Sequence, residues 1–581
     1  MYVNPEVSMK YSKAVSLLCC LIVALLAGCA AQGPDNRSNE GVVIADQIFT
    51  GGSIVTLDTE QPSADAVAVK TGKIIAVGSA AELGKYIGQE TQTIDFTGQT
   101  LLPGFIDGHS HFSHAAGAAS WANVSGAPVG AMASIADIVA EMQALKERNR
   151  VQAGEWLIGY GYDADTLTDG RHITRDDLDV AFPNNPVLLI HVSFHGGVLN
   201  SRAFAEISYD ENTPTPAGGI IVRRDDSDEP LGLLMETAWF PAIAILPRPS
   251  GEGLVANIIK TQQHYAANGV TTAQDGIVSM AEFSVLKDTA ARGELFIDLV
   301  ALGSYAEVPQ FVAEHQTYAH YNQRLKLGGI KLITDGSPQG KTAFFSDPYL
   351  TGGPGGEQNW SGEPMLPAEQ FSPVLAAVYA AGMQAYVHAN ADAAVDMLLE
   401  AHKTHMGQAG EDSRTVIIHS QFIRPDQLES YVGFGMVPAF FSNHAYFWGD
   451  VHVENIGERR AHYLSPMNSA GKLGIHFTNH SDYMVTPLSP LFTVWSAVNR
   501  VSRSGEVIGA GERITPLQAL KAITLDAAWQ YREEESKGSV SVGKKADFVV
   551  LDANPLTVDP MKIKDIAVVA TYKEGREIFS K

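Results

Sequence analysis

Two histidines close an apolar run. In Leu101-Leu102-Pro103-Gly104-Phe105-Ile106-Asp107-Gly108-His109-Ser110-His111 the imidazoles stand at i and i+2. On a β-strand that spacing turns both rings to one face, because side chains alternate with a period of two. Two imidazoles converging at a strand end make half of a metal site. The plain alternative is a pair satisfied by hydrogen bonds or by water. Other polar residues fall in the same way. Lys331 lies within Gly329-Ile330-Lys331-Leu332-Ile333, His388 follows Ala385-Tyr386-Val387, His419 follows Val416-Ile417-Ile418, and Asp482 comes just after the run 475–480. A lysine in an apolar strand facing a barrel interior is expensive to keep charged, so its pKa should fall. A neutral amine reacts with CO2 to give a carbamate, a carboxylate-like bridge suited to two divalent cations. Otherwise the Lys331 ammonium reaches a carboxylate such as Asp335 at the surface.

The elements that must position these groups alternate apolar strand-like runs with helical stretches, the pattern of a parallel α/β fold. After the HxH strand, strands are expected at 269–274, 296–302, 329–333, 383–387, 415–418, 436–441 and 474–478, eight in all. Eight is the count of a (β/α)8 TIM barrel, whose C-terminal strand ends share one mouth where active sites lie. Between the first two strands lies an excursion over 115–253, with its own strand at 187–192. It is too long for a structureless loop and reads as an inserted subdomain over the mouth. Helices are expected at 136–150, 254–267 and 517–532, the last opened by Thr515-Pro516 as N-cap and N1.

Both ends of the body have a different texture. Short alternating runs at 42–49, 53–57, 66–69, 73–77 and 93–96 read as strands, with Thr71-Gly72 as a hairpin turn. The texture returns at 538–540, 546–551, 566–572 and 577–579, with Glu574-Gly575 as a turn. The expected layout is therefore a small β-sandwich built from 42–104 and 536–581 around a barrel spanning 105–535.

Composition narrows the function. Lys and Arg number 41 against 65 Asp and Glu, a net charge of −24. That argues against nucleic acid as a partner, which needs basic patches. The three cysteines, Cys19, Cys20 and Cys29, all lie near the N-terminus. The body has no disulfide, thiolate nucleophile or thiolate metal ligand, so any metal is held by His, carboxylate or something less usual.

The N-terminal stretch reads as an address. Met9-Lys10-Tyr11-Ser12-Lys13 and the apolar run 14–26 form a basic and a hydrophobic region too short for a comfortable membrane span. The eight residues before Met9, Glu6 among them, fit that pattern poorly. Leu26-Ala27-Gly28-Cys29 resembles a bacterial lipoprotein box, which implies removal of 1–28, lipidation at Cys29 and a polar tether over 29–41. The expected location is the cell envelope, with the lipid anchor on the periplasmic face of a Gram-negative membrane. An uncleaved anchor helix is the alternative.

From residue 42 onward the chain resembles the amidohydrolase superfamily, in its YtcJ-like branch, and is similar to N-substituted formamide deformylases. The matching motifs are Pro-Gly-Phe-Ile-Asp-Gly-His-Ser-His (103–111), Ile-Lys-Leu-Ile-Thr-Asp-Gly-Ser (330–337), Val-His-Ala-Asn-Ala-Asp (387–392), Ile-Ile-His-Ser-Gln (417–421), His-Ser-Asp (480–482) and Lys-Gly-Ser-Val-Ser-Val-Gly-Lys-Lys-Ala-Asp-Phe-Val-Val-Leu (537–551). The resemblance implies that His109, His111 and Asp482 bind one metal, that His388 and His419 bind another, and that Lys331, carboxylated, bridges them. One ion or two fit the branch. Imidazole suits zinc, whereas carboxylate tolerates manganese, iron or nickel.

The implied chemistry is hydrolysis of an amide-type C–N bond in a small N-acyl or N-formyl substrate. A bound cation lowers the pKa of its water from about 16 towards 7, giving hydroxide at neutral pH. Asp482 is the implied base, passing the proton to the leaving nitrogen. Much of the superfamily has glycine where this chain has His480, which becomes a candidate substrate contact. His195 lies in a stretch similar to the branch's insert, and His444 and Trp448 follow a strand end; these three line the pocket or serve loop packing. An esterase, lactonase or deaminase would use the same centre, and a non-catalytic envelope lipoprotein would keep the fold. A metal-free glycosidase would need two suitably separated carboxylates instead. A homo-oligomer is compatible with any of these readings.

Overall fold

The apolar runs assigned to the barrel pair edge to edge in chain order. They are β1 (Phe105–Ile106), β2 (Val270–Val278), β3 (Asp298–Ser304), β4 (Leu325–Ile333), β5 (Ala385–Ala391), β6 (Val416–Phe422), β7 (Val437–Phe440) and β8 (Thr478–Asn479). Every pairing between them is parallel. Strands covered by helices on one side and a filled interior on the other must be apolar on both faces, and β5 and β6 are buried along their whole length. The ring closes just past the strand ends. The His111 N–H donates to the Tyr483 carbonyl at 2.7 Å and the Asp482 N–H to the His109 carbonyl at 3.2 Å. The computed structural model describes residues 43–581 except 248 and 411. The signal segment, Cys29 and the tether fall outside the described residues.

The excursion after β1 is a subdomain with a sheet of its own. Six strands run in the order Gly219–Arg223, Pro230–Glu236, Gly196–Leu199, Val187–His191, Leu157–Tyr162, Ala122–Asn123. Of these, the sequence reading had only Val187–His191, an unbroken apolar run.

The two chain ends join one eight-stranded sheet. It curls until its halves face each other, so that Phe49 packs edge-on against Phe548 and Tyr572, with ring centres at 5.1 and 5.0 Å. Both hairpin turns have two consecutive positive φ angles, 49° and 72° at Thr71-Gly72 and 51° and 76° at Glu574-Gly575. That twist matches the flanking strands.

Three local expectations need correction. The runs 42–49 and 53–57 merge into one strand, Gln47–Val55, which changes partner midway. Gly51 (φ 99°) and Gly52 permit this, since a Cβ on Gly52 would run into Phe96. Residues 538–540 form no strand; only the Val540 N–H reaches across, to the Thr56 carbonyl. The helix expected over 517–532 is two, Pro516–Ala522 and Leu525–Gln530. Between them the Ile523 carbonyl accepts from the Ile106 N–H of β1, and the Thr524 hydroxyl takes the Leu520 carbonyl. Thr515 and Pro516 do occupy the N-cap and N1 positions.

The terminal sheet is pinned beneath the barrel by one carboxylate. Asp298, the first residue of β3, lies 2.8 Å from Lys537, 2.8 Å from Lys573, 3.2 Å from Lys545 and 2.9 Å from Arg324. Burial works to raise its pKa, but the surrounding lysines outweigh that and hold it well below the usual range. Asp298→Ala would leave the buried Lys537 with Glu533 as its one carboxylate partner and the buried Lys573 with Asp547, a loss of about 1–3 kcal/mol that a lower urea midpoint at pH 7 would report. Because the folded-state pKa is depressed, the contribution exists above the unfolded value of about 3.9. It fades as pH falls through the lower folded value, so the gap between wild type and variant should narrow in strong acid.

Candidate metal centre

The six sequence-predicted ligands arrive from β4, β5 and β6 and from the segments after β1 and β8; the strand expected to carry His109 and His111 ends at Ile106, and the pair follows it. Parallel pairing sets their height: Ile333 stands beside His388, and Ala389 beside His419. Asp482 Oδ1 lies 3.4 Å from His111 Nε2 and 3.5 Å from His109 Nε2, and its Oδ2 lies 3.9 Å from His419 Nε2. His419 Nε2 is 3.1 Å from His388 Nδ1, and Lys331 Nζ is 3.1 Å from His109 Nε2. Among the described residues, His109, His111 and Asp482 form a group able to hold a metal ion. Two ligands of a tetrahedral ion with bonds near 2.1 Å stand about 3.4 Å apart, so the spacing fits.

The chemistry of the donors fits as well. Burial drives the pKa of His109, His388 and His419 well below the usual imidazole value, which leaves them neutral. Orientation is fixed from behind. His109 Nδ1 meets the Gln274 side-chain oxygen on β2, an acceptor, so the proton sits on Nδ1 and the Nε2 lone pair faces Asp482. The Gln274 amide nitrogen is itself committed to the Gly108 carbonyl and the Tyr531 hydroxyl. His388 Nε2 lies 3.2 Å from the Gly336 carbonyl and 3.5 Å from Asp335 Oδ1, leaving Nδ1 for His419. Asp482 Oδ1 and His419 Nδ1 are buried without a hydrogen bond. An orphaned carboxylate oxygen between two imidazole nitrogens fits a cation as their common partner.

Backbone strain marks the same residues. His419 has φ 76°, Ser420 φ 42° and Asp482 φ 49°. Side-chain-bearing residues enter that region at a cost of about 1–3 kcal/mol each, and here it aims ligands inward.

Lys331 is fully buried, and desolvation lowers its pKa to about 7. It does not reach Asp335, whose carboxylate accepts the backbone N–H groups of Phe344, Asn390 and Ala391. Burial raises Asp335 to about 7 against those bonds. Asp482 stays ionised: burial works to raise its pKa, but His111 beside it, with His109 and His419, brings it well below the usual value.

The four lower-ranked residues divide. His195, from the insert, packs its ring 5.1 Å from His388, and its Nδ1 sits 2.9 Å from Glu236 Oε2. Burial opposes its charge, but Glu236, Asp335 and Asp482 outweigh burial and raise its pKa. His480 lies 5.2 Å from both His109 and His419, stacks on Phe441, and has both ring nitrogens buried without partners. Desolvation lowers its pKa to about 4. His444 and Trp448 are buried one layer further out. His444 Nδ1 is 3.0 Å from His452, and the Trp448 indole N–H donates to Asp163 of the insert at 3.0 Å. Gln274, Asn390 and Glu236 escaped sequence reasoning, and Asp335 was read only as a partner for Lys331 rather than as the carboxylate beside His388. Only Gln274 carried a signal, as a polar residue at the end of an apolar strand.

A cluster of neutral imidazoles and a carboxylate at the mouth of a parallel (β/α)8 barrel defines a metal-dependent hydrolase. Residues 92–579 match the amidohydrolase family model, and the chain belongs to that family. It is 27% identical to YtcJ of Bacillus subtilis over 92% of this chain and 99% of that one. It is 24% identical to the N-substituted formamide deformylase of Arthrobacter pascens over 91% of this chain and 97% of that one. The fold is shared with a solved metal-dependent hydrolase of Pyrococcus horikoshii, with a TM-score of 0.68 and 22% identity over 88% of this chain and 99% of that one.

Gln274→Leu should weaken divalent-metal affinity by about 10–100-fold, because the His109 tautomer is no longer fixed. Competition against a chromophoric chelator measures it, and unchanged affinity would show that Gln274 has no such role.

Proposed function

We propose that this enzyme hydrolyses an amide-type C–N bond, other than a peptide bond, in a small N-acyl or N-formyl compound. The observation that carries the reading is the unpartnered Asp482 Oδ1 between the His109 and His111 nitrogens, with the His388–His419 pair alongside. The deformylase relative supports the bond type.

His109, His111 and Asp482 would hold one divalent cation, and His388 and His419 a second. Zinc suits this imidazole-rich set. When bound, such an ion polarises a carbonyl oxygen and acidifies water from about 16 towards 7. The protein's own groups then manage protons and position. The Asp482 carboxylate takes a proton from water and gives it to the leaving nitrogen, so that the C–O bond forms, the C–N bond breaks and the amine departs neutral. His195, kept protonated by Glu236, donates to an oxygen of the substrate. His480 borders the substrate, with His444 and Trp448 packed behind it through Phe441.

Lys331 takes up CO2. Its amine, free through much of the neutral range, attacks carbon, an N–C bond forms and a proton is released, leaving a carbamate between the two ligand sets. We also place the enzyme in the cell envelope, anchored through acylation of Cys29, on the strength of Leu26-Ala27-Gly28-Cys29. Among the described residues no helix is long and apolar enough to cross a membrane.

Asp482→Asn should lower turnover of N-formyl and N-acyl substrates by at least about 100-fold, and a chelator should abolish turnover in the wild type until divalent metal is restored. Full activity in metal-free protein would overturn the reading. Labelling with 13C-bicarbonate should give a carbamate NMR signal that Lys331→Ala lacks. Cys29→Ala should release the protein from the membrane fraction.

A further inference from the structure

The ligand side chains are not equally covered. His109 is fully buried, His388 and His419 are 5% exposed and Asp482 9%, whereas His111 is 20% exposed. The centre therefore opens on the His111 side. There the His114 ring stacks flat on His111, with ring centres at 5.1 Å. His114 and Ser113 also line a cavity of about 410 Å³. Its lining also includes Phe194, the residue before His195. The space thus adjoins the His111 side of the centre through His114.

Its walls are apolar. Trp121, Phe194, Trp239 and Ile243 of the insert line it together with Leu254 and Ile258 of the helix Gly251–Ala267 and Val285 and Leu286 of the helix Met280–Ala291. Charged residues, Asp288 and Arg292 among them, also belong to its lining. Its volume lies in the range of small-molecule sites, about 300–1,000 Å³. A hydrolase needing only to admit a formyl or acetyl group has no use for so much apolar surface next to the ring that stacks on His111.

We infer that this cavity holds an extended alkyl or aryl group of the substrate, with the scissile amide lying over His111 and Asp482. The inference rests on the hydrolase reading above and adds the substrate's apolar portion. That group sits either on the acyl carbon or on the nitrogen.

The first test needs no catalysis. Isothermal titration of the purified protein with 1-alkanols from butanol to decanol should show one saturable site. Affinity should rise about fourfold per methylene until the cavity is full. Leu254→Trp, which fills the space, should flatten that series, and Val255→Phe serves if the tryptophan variant does not fold. Absence of saturable binding, or a series unchanged in the filled variant, would overturn the inference.

Two amide series then place the group. N-acyl amines of growing acyl length should gain in kcat/KM if it is on carbon, and N-alkyl formamides if it is on nitrogen. Cleavage of short amides with no gain along either series would sink the apolar-group inference and leave the hydrolase reading standing. Cleavage of no amide by the metal-loaded enzyme would sink the hydrolase reading, and this inference with it.

Discussion

Imidazoles serve as lone-pair donors only while they are neutral and turned the right way, and both conditions are set here by burial. A ring in water titrates near neutrality and spins freely. In the barrel mouth desolvation removes the proton from His109, His388 and His419. Acceptors behind two of the rings then choose the free nitrogen: the Gln274 oxygen for His109, and the Gly336 carbonyl with Asp335 for His388. The same dry surroundings lower Lys331 to about 7. One physical cause thus prepares two kinds of group, imidazole and amine, while Asp482 keeps its charge because imidazoles surround it.

The rest of the chain serves that mouth from two directions. Below, Asp298 gathers Lys537, Lys545 and Lys573 and ties the sheet of both chain ends to the start of β3. Part of the long motif 537–551 is explained this way: Lys537 and Lys545 are anchors far in role from the chemistry. Above, the insert delivers His195 with Glu236 to the edge of the site and supplies one wall of the apolar cavity.

What could be read in the sequence follows from which interactions are local. An apolar run that ends in a ligand is a local pattern, so His109, His111, Lys331, His388, His419 and Asp482 were all visible, as were the barrel strands. The partners that orient them belong to other strands, and nothing near Gln274 in the chain announces that it faces His109, 165 residues away. The break at Ile523-Thr524 was hidden for the same reason, since the Ile523 carbonyl is drawn off by β1. In the insert, Gly196–Leu199 has too little side chain to show strand periodicity, although its neighbour Val187–His191 does.

Closure of the ring next to the ligands has a consequence for how the molecule assembles. The hydrogen bonds joining the first and last barrel segments involve His109, His111 and Asp482 themselves. The cation site therefore comes into being at the seam, and only once a loop of several hundred residues has been shut. During synthesis the N-terminal half has its two histidines long before their carboxylate emerges, so ion capture is a late event. By linkage, an ion that prefers the finished ring also works as its clasp.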